Sequence, residues 1–371
     1  MSDKRRKPEW TPENAGSEFA GSVVPGKKAG GNPAPRPRAR GSSSPAELVN
    51  AVRQGERTAL GKAITLVESR AEKHRRDARE LLQLLLPFAG KSIRIGITGV
   101  PGAGKSTLIE RLGLHLAAAG FKIAVLAVDP SSSISSGSIL GDKTRMAELA
   151  RHPNAFIRPS PSGGTLGGVA RKTRETIQVC EAAGYDVIIV ETIGVGQSEI
   201  AVRAMVDFFL LVQITGGGDD LQGIKKGVME LVDAIVVNKA DGPNRAQILA
   251  TRQELESALH FFPPATPGWK PPVTACSAIS GEGIPELWQT VRDFTDFTRQ
   301  KNLFQNRRQE QSLAWMHELI RAEVLDRFYR DPGIAGEIAH LESRIRKGEI
   351  QPGAASAMVL AKYWGGEETV D

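Results

Sequence analysis

The sequence has few cysteines and no long apolar run, and each shortage argues against a class of protein. Cys180 and Cys276 are its two cysteines; they lie far apart, each within an apolar run. This argues against a disulfide framework and favours a reducing compartment, with both thiols as small buried apolar groups. No apolar run reaches the roughly 18 residues that cross a bilayer. The opening MSDKRRKPEW leads into Gly, Pro and Ser, unlike a secretory signal. We therefore expect a soluble cytoplasmic protein that does not bind membranes.

Positive charge is concentrated in the first part of the chain. The formal net charge is +6, and residues 1–45 hold nine Lys/Arg against four Asp/Glu. The remainder is nearly neutral and has no basic stripe of the kind that contacts a phosphate backbone. We therefore expect no nucleic-acid binding.

Composition divides the chain into four predicted segments. Residues 1–44 are basic and rich in Pro, Gly and Ser, which predicts a disordered tail. Residues 45–90 have helical periodicity and predict an N-terminal helical arm. Residues 91–298 form the predicted main domain, and residues 299–371 form a helical extension.

The main domain alternates β-branched apolar runs with amphipathic segments. This pattern predicts an α/β fold with a mostly parallel sheet and helices on both faces. The strand candidates are SIRIGIT, KIAVLAVD, AFIRPS, DVIIVET, FFLLVQIT, AIVVNK and PVTACSA.

The extension carries apolar residues at helical spacing and no strand pattern. A stripe of this kind serves either dimerisation or packing within the same subunit, and the sequence leaves both open. Its members are Leu313, Met316, Leu319, Ile320, Val324 and Phe328.

A glycine-rich segment between a predicted strand and a predicted helix fits G-x-x-x-x-G-K-[ST]. It runs from Gly99 to Ser106, and we call it the P-loop. Glycines let backbone N–H groups turn toward phosphate oxygens, and the helix N-terminus adds partial positive charge. In this pattern Lys105 reaches the β- and γ-phosphates, and the Ser106 hydroxyl meets Mg²⁺. The alternative is a chance glycine-rich turn.

Two later segments predict which base is bound. Asn238-Lys239-Ala240-Asp241 matches N-K-x-D, in which a carboxylate accepts the N1–H and exocyclic amine of guanine. Adenine lacks the N1–H and leaves that carboxylate unmatched. The segment 276–278, Cys-Ser-Ala, resembles a loop that supports the base carbonyl. Either segment alone could be a surface turn, but after a P-loop they predict GTP rather than ATP.

Carboxylates also follow predicted strands, where a metal ion could be held. Asp129 ends one strand, and Glu191 stands where most GTPases have the Asp of D-x-x-G. Asp142 lies in a Gly/Ser-rich segment. Metal binding is the favoured role for Asp129 and Glu191, helix capping is the alternative for each, and for Asp142 the two are evenly balanced.

The loop from Ile214 to Lys226 contains three consecutive glycines near its start, which two acids and later two lysines follow. Its charges could rearrange when the nucleotide changes. Equally, it could begin a helix whose acids and bases suit the helix dipole.

Taken together, these motifs resemble the MeaB/ArgK family, the GTPases associated with methylmalonyl-CoA mutase. The resemblance covers about residues 45–365 and rests on GVPGAGKST, AVDPSS, GSILGDKTRM, RPSPSGGTLGG, ETIGVGQSE, TGGGDDLQGIKKG, NKADG and CSAISGEGI. It implies a SIMIBI-type G protein that is homodimeric through its C-terminal helices. It also implies protection of an adenosylcobalamin-dependent mutase and GTP-gated delivery of the cofactor from an adenosyltransferase.

The resemblance also implies site residues. Phosphate contacts fall on Gly99, Val100, Pro101, Gly102, Ala103, Gly104, Lys105, Ser106 and Thr107. Guanine contacts fall on Asn238, Lys239, Asp241, Ser277, Ala278 and Ile279. The magnesium shell falls on Ser106, Asp129, Asp142 and Glu191, and the catalytic group is Lys105, Asp129 and Glu191. Gln197 is a candidate for positioning water and Lys225 for contacting nucleotide or mutase. With no arginine finger identified, hydrolysis should be slow until a partner accelerates it.

Other functions remain as alternatives. Nickel metallochaperone GTPases usually carry His-rich or Cys-bearing sites, whereas residues 1–73 have no histidine and no Cys-x-x-Cys occurs. Signal-sequence GTPases need a Met-rich module, and six Met do not supply one. A small-molecule kinase is disfavoured by the guanine motifs. The protein could also serve another B12-dependent acyl-CoA mutase, and the sequence does not decide which mutase it serves.

Overall fold

The structure is a computed structural model that describes residues 44–69, 71–128, 145–159, 166–192, 198–215, 226–242 and 245–365. Within these ranges seven strands form one sheet. They are β1 Ile93–Gly99, β2 Ile123–Val128, β3 Ala155–Arg158, β4 Val187–Thr192, β5 Phe208–Ile214, β6 Ala234–Asn238 and β7 Val273–Ala275. Each predicted apolar run corresponds to one strand, and every neighbouring pair of strands is parallel. The predicted α/β fold is confirmed.

The strand order is β3-β2-β4-β1-β5-β6-β7, which places β1 at the centre. Because the strands are parallel, their carboxyl ends share one edge of the sheet. Chain connections diverge on the two sides of β1, and ligands of open α/β sheets bind in the crevice at such a point. The loop after β1 is therefore in the position that the fold reserves for a ligand.

Helices cover both faces of the sheet. Those before and between the strands are α1 Pro45–Arg53, α2 Arg57–Glu68, α3 Glu72–Leu85, α4 Lys105–Ala118, α5 Ala147–Arg151, α6 Leu166–Ala182, α7 Ser198–Arg203, α8 Lys226–Met229 and α9 Arg245–Leu259. Those after β7 are α10 Ile284–Gln300, α11 Leu303–Arg330, α12 Pro332–Arg346 and α13 Pro352–Trp364. No helix in the described ranges is both long and apolar enough to span a membrane.

The two faces of the sheet carry separate apolar cores. On one face Ile97 and neighbouring strand residues pack with Leu108 of α4 and Phe294 of α10. On the other face Val190 and its neighbours pack with Ile64 of α2 and α6 residues. α1 begins at Pro45, and proline is favoured at the first position of a helix. The N-terminal helices thus complete one face of the sheet.

The extension begins with α11, a helix of 28 residues. Its far end packs with α12 and α13 around a small cluster that includes Ile334 and Leu341, and the Phe328 and Tyr363 rings lie 4.9 Å apart. Much of the predicted stripe is exposed in the single chain, namely Leu313, Met316, Ile320 and Val324. The predicted segment boundaries near residues 44, 90 and 298 stay predictions.

Candidate functional site

The P-loop joins the end of β1 to the start of α4, and its shape requires glycine at two tight positions. Gly99 has φ 150°, and a Cβ there would overlap the carbonyl oxygen of Val212. Gly104 has φ 83°, and a Cβ there would lie 2.6 Å from Nδ2 of Asn238. Both conformations are ones that L side chains rarely adopt. The loop therefore packs directly on β5 and on the first residue of the N-K-x-D segment.

Lys105 lies over the P-loop with its side chain nearly buried. Its Nζ donates hydrogen bonds to the carbonyl oxygens of Gly99 at 2.8 Å and Val100 at 3.2 Å. Burial lowers the pKa of the Lys105 ammonium, and the carboxylates of Glu191 and Glu199 oppose that shift. A partly desolvated cation interacts strongly with a nearby anion. Lys105 is thus suited to bind a phosphate oxygen.

Ser106 and Glu191 meet at the carboxyl edge of the sheet. β1 and β4 are neighbours, with Ile97 opposite Glu191 in register. The Ser106 hydroxyl donates a hydrogen bond to Oε1 of Glu191 at 2.9 Å, next to a 2.8 Å bond from the Thr192 hydroxyl to Thr98 Oγ1. Mg²⁺ prefers oxygen ligands of this kind. The pair therefore fits a magnesium site.

Asn238 connects the P-loop to the loop after β7. Its buried Nδ2 donates to the carbonyl oxygen of Ala103 at 2.9 Å. Its Oδ1 accepts a hydrogen bond from the N–H of Ala278 at 3.1 Å. The next residue, Lys239, has φ 64°, which turns the chain sharply after β6. The phosphate and base segments are therefore held together by one amide side chain.

Asp241 and residues 277–279, which we call the base loop, lie side by side. The Ser277 hydroxyl donates to Oδ1 of Asp241 at 2.9 Å and accepts a hydrogen bond from the N–H of Ser280 at 3.0 Å. Ile279 is 67% exposed. An exposed carboxylate beside a backbone loop offers both a charged acceptor and peptide N–H donors. These are the groups that a guanine edge requires.

The structure thus brings the predicted phosphate and base residues to one edge of the sheet. Pro101, Gly102 and Thr107 are exposed there, and Val100 is half-buried. Four other predictions lie outside the described residues: Asp129, Asp142, Gln197 and Lys225. Most of the predicted loop from Ile214 to Lys226 lies outside them as well.

Two residues near the site were not predicted from the sequence. Glu199, at the start of α7, is buried and acts electrostatically on Lys105. Glu199 ends the run GVGQSE, one of the segments that carry the family resemblance, and this position could have indicated that it lies near the site. Arg111 of α4 donates hydrogen bonds to the carbonyl oxygens of Ala278 and Ile279. Nothing local to Arg111 in the sequence indicates this contact.

Comparison with known proteins identifies the family. A family model described as methylmalonyl Co-A mutase-associated GTPase MeaB matches residues 60–332. The chain belongs to the MeaB family. It is accordingly a GTPase that binds guanine nucleotides.

Relatives from distant organisms support the assignment to the MeaB family. A probable GTPase of Mycobacterium tuberculosis is 53% identical over 84% of this chain and 93% of its own length. The GTPase ArgK of Escherichia coli is 50% identical over 78% of this chain and 90% of its own. The methylmalonic aciduria type A homolog, mitochondrial, of Mus musculus is 45% identical over 84% of this chain and 77% of its own length. The residues matched by the family model include the nucleotide site and the start of the extension.

One solved structure has the same fold and a related sequence. The crystal structure of LAO/AO transport system kinase superposes with a TM-score of 0.69 and is 39% identical. The match covers 86% of this chain and 98% of that one. The MeaB-family fold thus extends over almost the whole of the solved relative.

Proposed function

We propose that this MeaB-family GTPase is a chaperone of adenosylcobalamin-dependent methylmalonyl-CoA mutase. It protects the mutase from inactivation and uses GTP to gate loading of the cofactor from an adenosyltransferase. The observation that carries this proposal is the family match over residues 60–332, because the description of that family names the mutase. The relative from Mus musculus, named for methylmalonic aciduria, adds support.

The nucleotide contacts follow from the geometry of the carboxyl edge. Phosphates lie in the loop from Gly99 to Thr107, with Lys105 reaching the terminal groups. Guanine lies between Asp241 and the base loop, and Asn238 and Lys239 support it. The hydrogen bonds of Asn238 to the Ala103 carbonyl and the Ala278 N–H support this arrangement.

Ser106 and Glu191 would hold magnesium, and Asp129 and Asp142 are proposed as further members of its shell. When bound, the ion neutralises charge on the phosphate oxygens. Lys105 stabilises negative charge that develops during hydrolysis, while Asp129 and Glu191 orient groups at the γ-phosphate. The 2.9 Å contact between the Ser106 hydroxyl and Glu191 supports the metal assignment.

Hydrolysis is slow in the isolated protein and faster on the mutase. Residue Gln197 and the segment from Ile214 to Lys226 are the elements proposed to respond, through a shift in their conformational populations. The protein acts as a homodimer through α11–α13. The exposed apolar residues of α11, among them Ile320 and Val324, support this assembly.

The test is GTP turnover by the purified protein with and without methylmalonyl-CoA mutase. Lys105→Ala is the blank, because it removes the phosphate-binding ammonium. We expect the mutase to raise GTP turnover by the wild type well above its basal rate. Turnover by Lys105→Ala should not rise when the mutase is added.

A second mutase, another B12-dependent acyl-CoA mutase, is added to distinguish the alternative functions. Stimulation of GTP turnover by that enzyme, and not by methylmalonyl-CoA mutase, would make it the partner. Turnover that neither mutase changes would contradict the proposed partner and would favour the alternative of nickel delivery.

A further inference from the structure

Arg111 connects the helix that begins at the phosphates to the loop proposed to hold the base. It lies on α4, in the second turn after Lys105 and Ser106. Its Nε donates to the carbonyl oxygen of Ala278 at 3.2 Å, and its Nη2 donates to that of Ile279 at 2.6 Å. One guanidinium therefore holds two successive peptide carbonyls through charge-assisted hydrogen bonds.

These contacts fix the direction of the neighbouring N–H groups. A trans peptide plane points its C=O and its N–H in opposite directions, and every described peptide bond is trans. The Ala278 carbonyl shares its plane with the Ile279 N–H. Because that carbonyl faces Arg111, the Ile279 N–H is turned away from Arg111.

The other N–H groups of the base loop already have hydrogen-bond partners. The Ser277 N–H donates to the carbonyl oxygen of Glu282, and the Ala278 N–H donates to Asn238 Oδ1. In the part of the chain that the structure describes, the Ile279 N–H has no hydrogen-bond partner. The loop therefore presents an oriented donor next to Asp241.

Arg111 is not needed for the core. α4 packs through Leu108, Ile109 and Leu112, which are fully buried, whereas Arg111 is on the exposed side of the helix. The base loop has little apolar anchoring of its own at Ile279. Removing the guanidinium should therefore loosen the loop without opening a cavity.

We propose that Arg111 is a positioning residue for base selection, which holds the base loop so that the Ile279 N–H meets the O6 carbonyl of guanine. This inference rests on the proposed placement of guanine between Asp241 and the base loop. Arg111 itself does not touch the base. It links phosphate binding at the start of α4 to base recognition at its second turn.

The test compares affinities for GDP, 6-thio-GDP and IDP by displacement of a fluorescent GDP analogue. The proteins are wild type, Arg111→Ala, Arg111→Lys and the control Arg292→Ala, which removes an exposed arginine from α10. Sulfur at position 6 is a weak acceptor, so 6-thio-GDP reports on the contact to O6. IDP lacks the 2-amino group and reports on Asp241.

We expect Arg111→Ala to weaken GDP binding about tenfold, the equivalent of roughly 1.4 kcal/mol, and to affect 6-thio-GDP much less. The ratio of GDP to IDP affinity should stay unchanged. The affinity of Arg111→Lys for GDP should lie between those of wild type and Arg111→Ala, because an ammonium cannot donate to both carbonyls as the guanidinium does. Arg292→Ala should match wild type, and the thermal midpoints of the two alanine variants should agree.

Equal losses of GDP and 6-thio-GDP affinity in Arg111→Ala, or no loss, would overturn the role of Arg111. Asp241→Asn separates this failure from failure of the proposed site. If Asp241→Asn weakens GDP binding while Arg111→Ala does not, the site stands and only the positioning role is wrong. If Asp241→Asn also has no effect, the base lies elsewhere and both proposals fall.

Discussion

Buried charges have opposite roles at the two ends of the parallel strands, which we call the amino edge and the carboxyl edge of the sheet. At the amino edge, carboxylates are matched with arginines from helices and strands. At the carboxyl edge, the buried ammonium of Lys105 contacts the backbone carbonyls of Gly99 and Val100. A charge in an ion pair is already matched within the fold, whereas a buried ammonium that contacts neutral carbonyls can still bind an anion.

The amino edge is tied to the extension by Arg308 of α11. Its Nε and Nη2 donate to the two carboxylate oxygens of Asp207 at 2.7 and 2.6 Å. Nearby, Asp233 accepts bonds from both Nη atoms of Arg203 at 2.6 and 3.2 Å. Glu181 is likewise buried and ion-paired. Each acid is thus neutralised by a positioned guanidinium.

The pKa values of Arg308 and Lys105, one at each edge, shift in opposite directions. Burial acts to lower the pKa of Arg308, but the hydrogen bonds and charge of Asp207 raise it overall. Burial also lowers the pKa of Lys105, and there Glu191 and Glu199 do not restore it. Asp207 therefore holds Arg308 in its charged state, whereas an added anion would stabilise the charged state of Lys105.

The largest expected effect is at the amino edge. Arg308→Ala leaves Asp207, which is 2% exposed, without its ionic partner. Breaking a buried pair in this way costs about 3–5 kcal/mol. Urea unfolding should show that loss in the free energy of unfolding.

The matched control for Arg308→Ala is Arg327→Ala on the same helix. Arg327 pairs with Glu323 at 3.1 Å, and both are solvent-accessible. Such pairs contribute roughly 0–1 kcal/mol. Equal losses in the two variants would show that the amino edge is no more than a surface network.

A smaller effect is expected from two glycines of the P-loop that form a matched pair. Gly102 and Gly104 both have φ 83°, so alanine brings about 1–2 kcal/mol of left-handed strain at either one. A Cβ at Gly102 meets nothing within 4 Å, whereas at Gly104 it would push against Nδ2 of Asn238. Only Gly104→Ala should therefore disturb the amide that joins the phosphate and base segments.

The measurement is the affinity ratio of GDP to ADP in both glycine variants. We expect the ratio to fall in Gly104→Ala and to stay near the wild-type value in Gly102→Ala. If both variants keep the ratio, Asn238 does not couple the two segments.

The carboxyl edge was more predictable from the sequence than the amino edge. Sequence periodicity predicted all seven strands, and motif spacing placed Lys105, Asn238 and Asp241 at or shortly after the ends of strands. The amino-edge pairs depend on tertiary contacts across long separations, such as 101 residues between Arg308 and Asp207. Arg308 is one of many arginines in a charged helix, and nothing local distinguishes it. A weak signal was present, because Asp186, Asp207 and Asp233 each stand directly before a strand.

The smallest expected effect concerns Glu181 and pH. Burial acts to raise the pKa of Glu181, but the charge and hydrogen bond of Arg94, the Ser92 hydrogen bond and Arg308 lower it overall. A carboxyl whose pKa is lower in the folded state stabilises the protein above its ordinary pKa of 4.5. That stabilisation is lost as the pH falls from there through the folded value.

Glu181→Gln keeps an acceptor for the Gly90 N–H and the Arg94 guanidinium, so its loss at pH 7 should be smaller than that of Arg308→Ala. Because glutamine does not titrate, the difference from wild type should shrink as the pH falls below about 4.5, by at most ~1.4 kcal/mol per pH unit. Urea unfolding at several pH values measures this, with Glu310→Gln as an exposed control on α11. A difference that stays constant with pH would mean that Glu181 contributes through packing and hydrogen bonds rather than through charge. In that case the ion pairs of Glu181 would not distinguish the amino edge from the carboxyl edge in their contribution to stability.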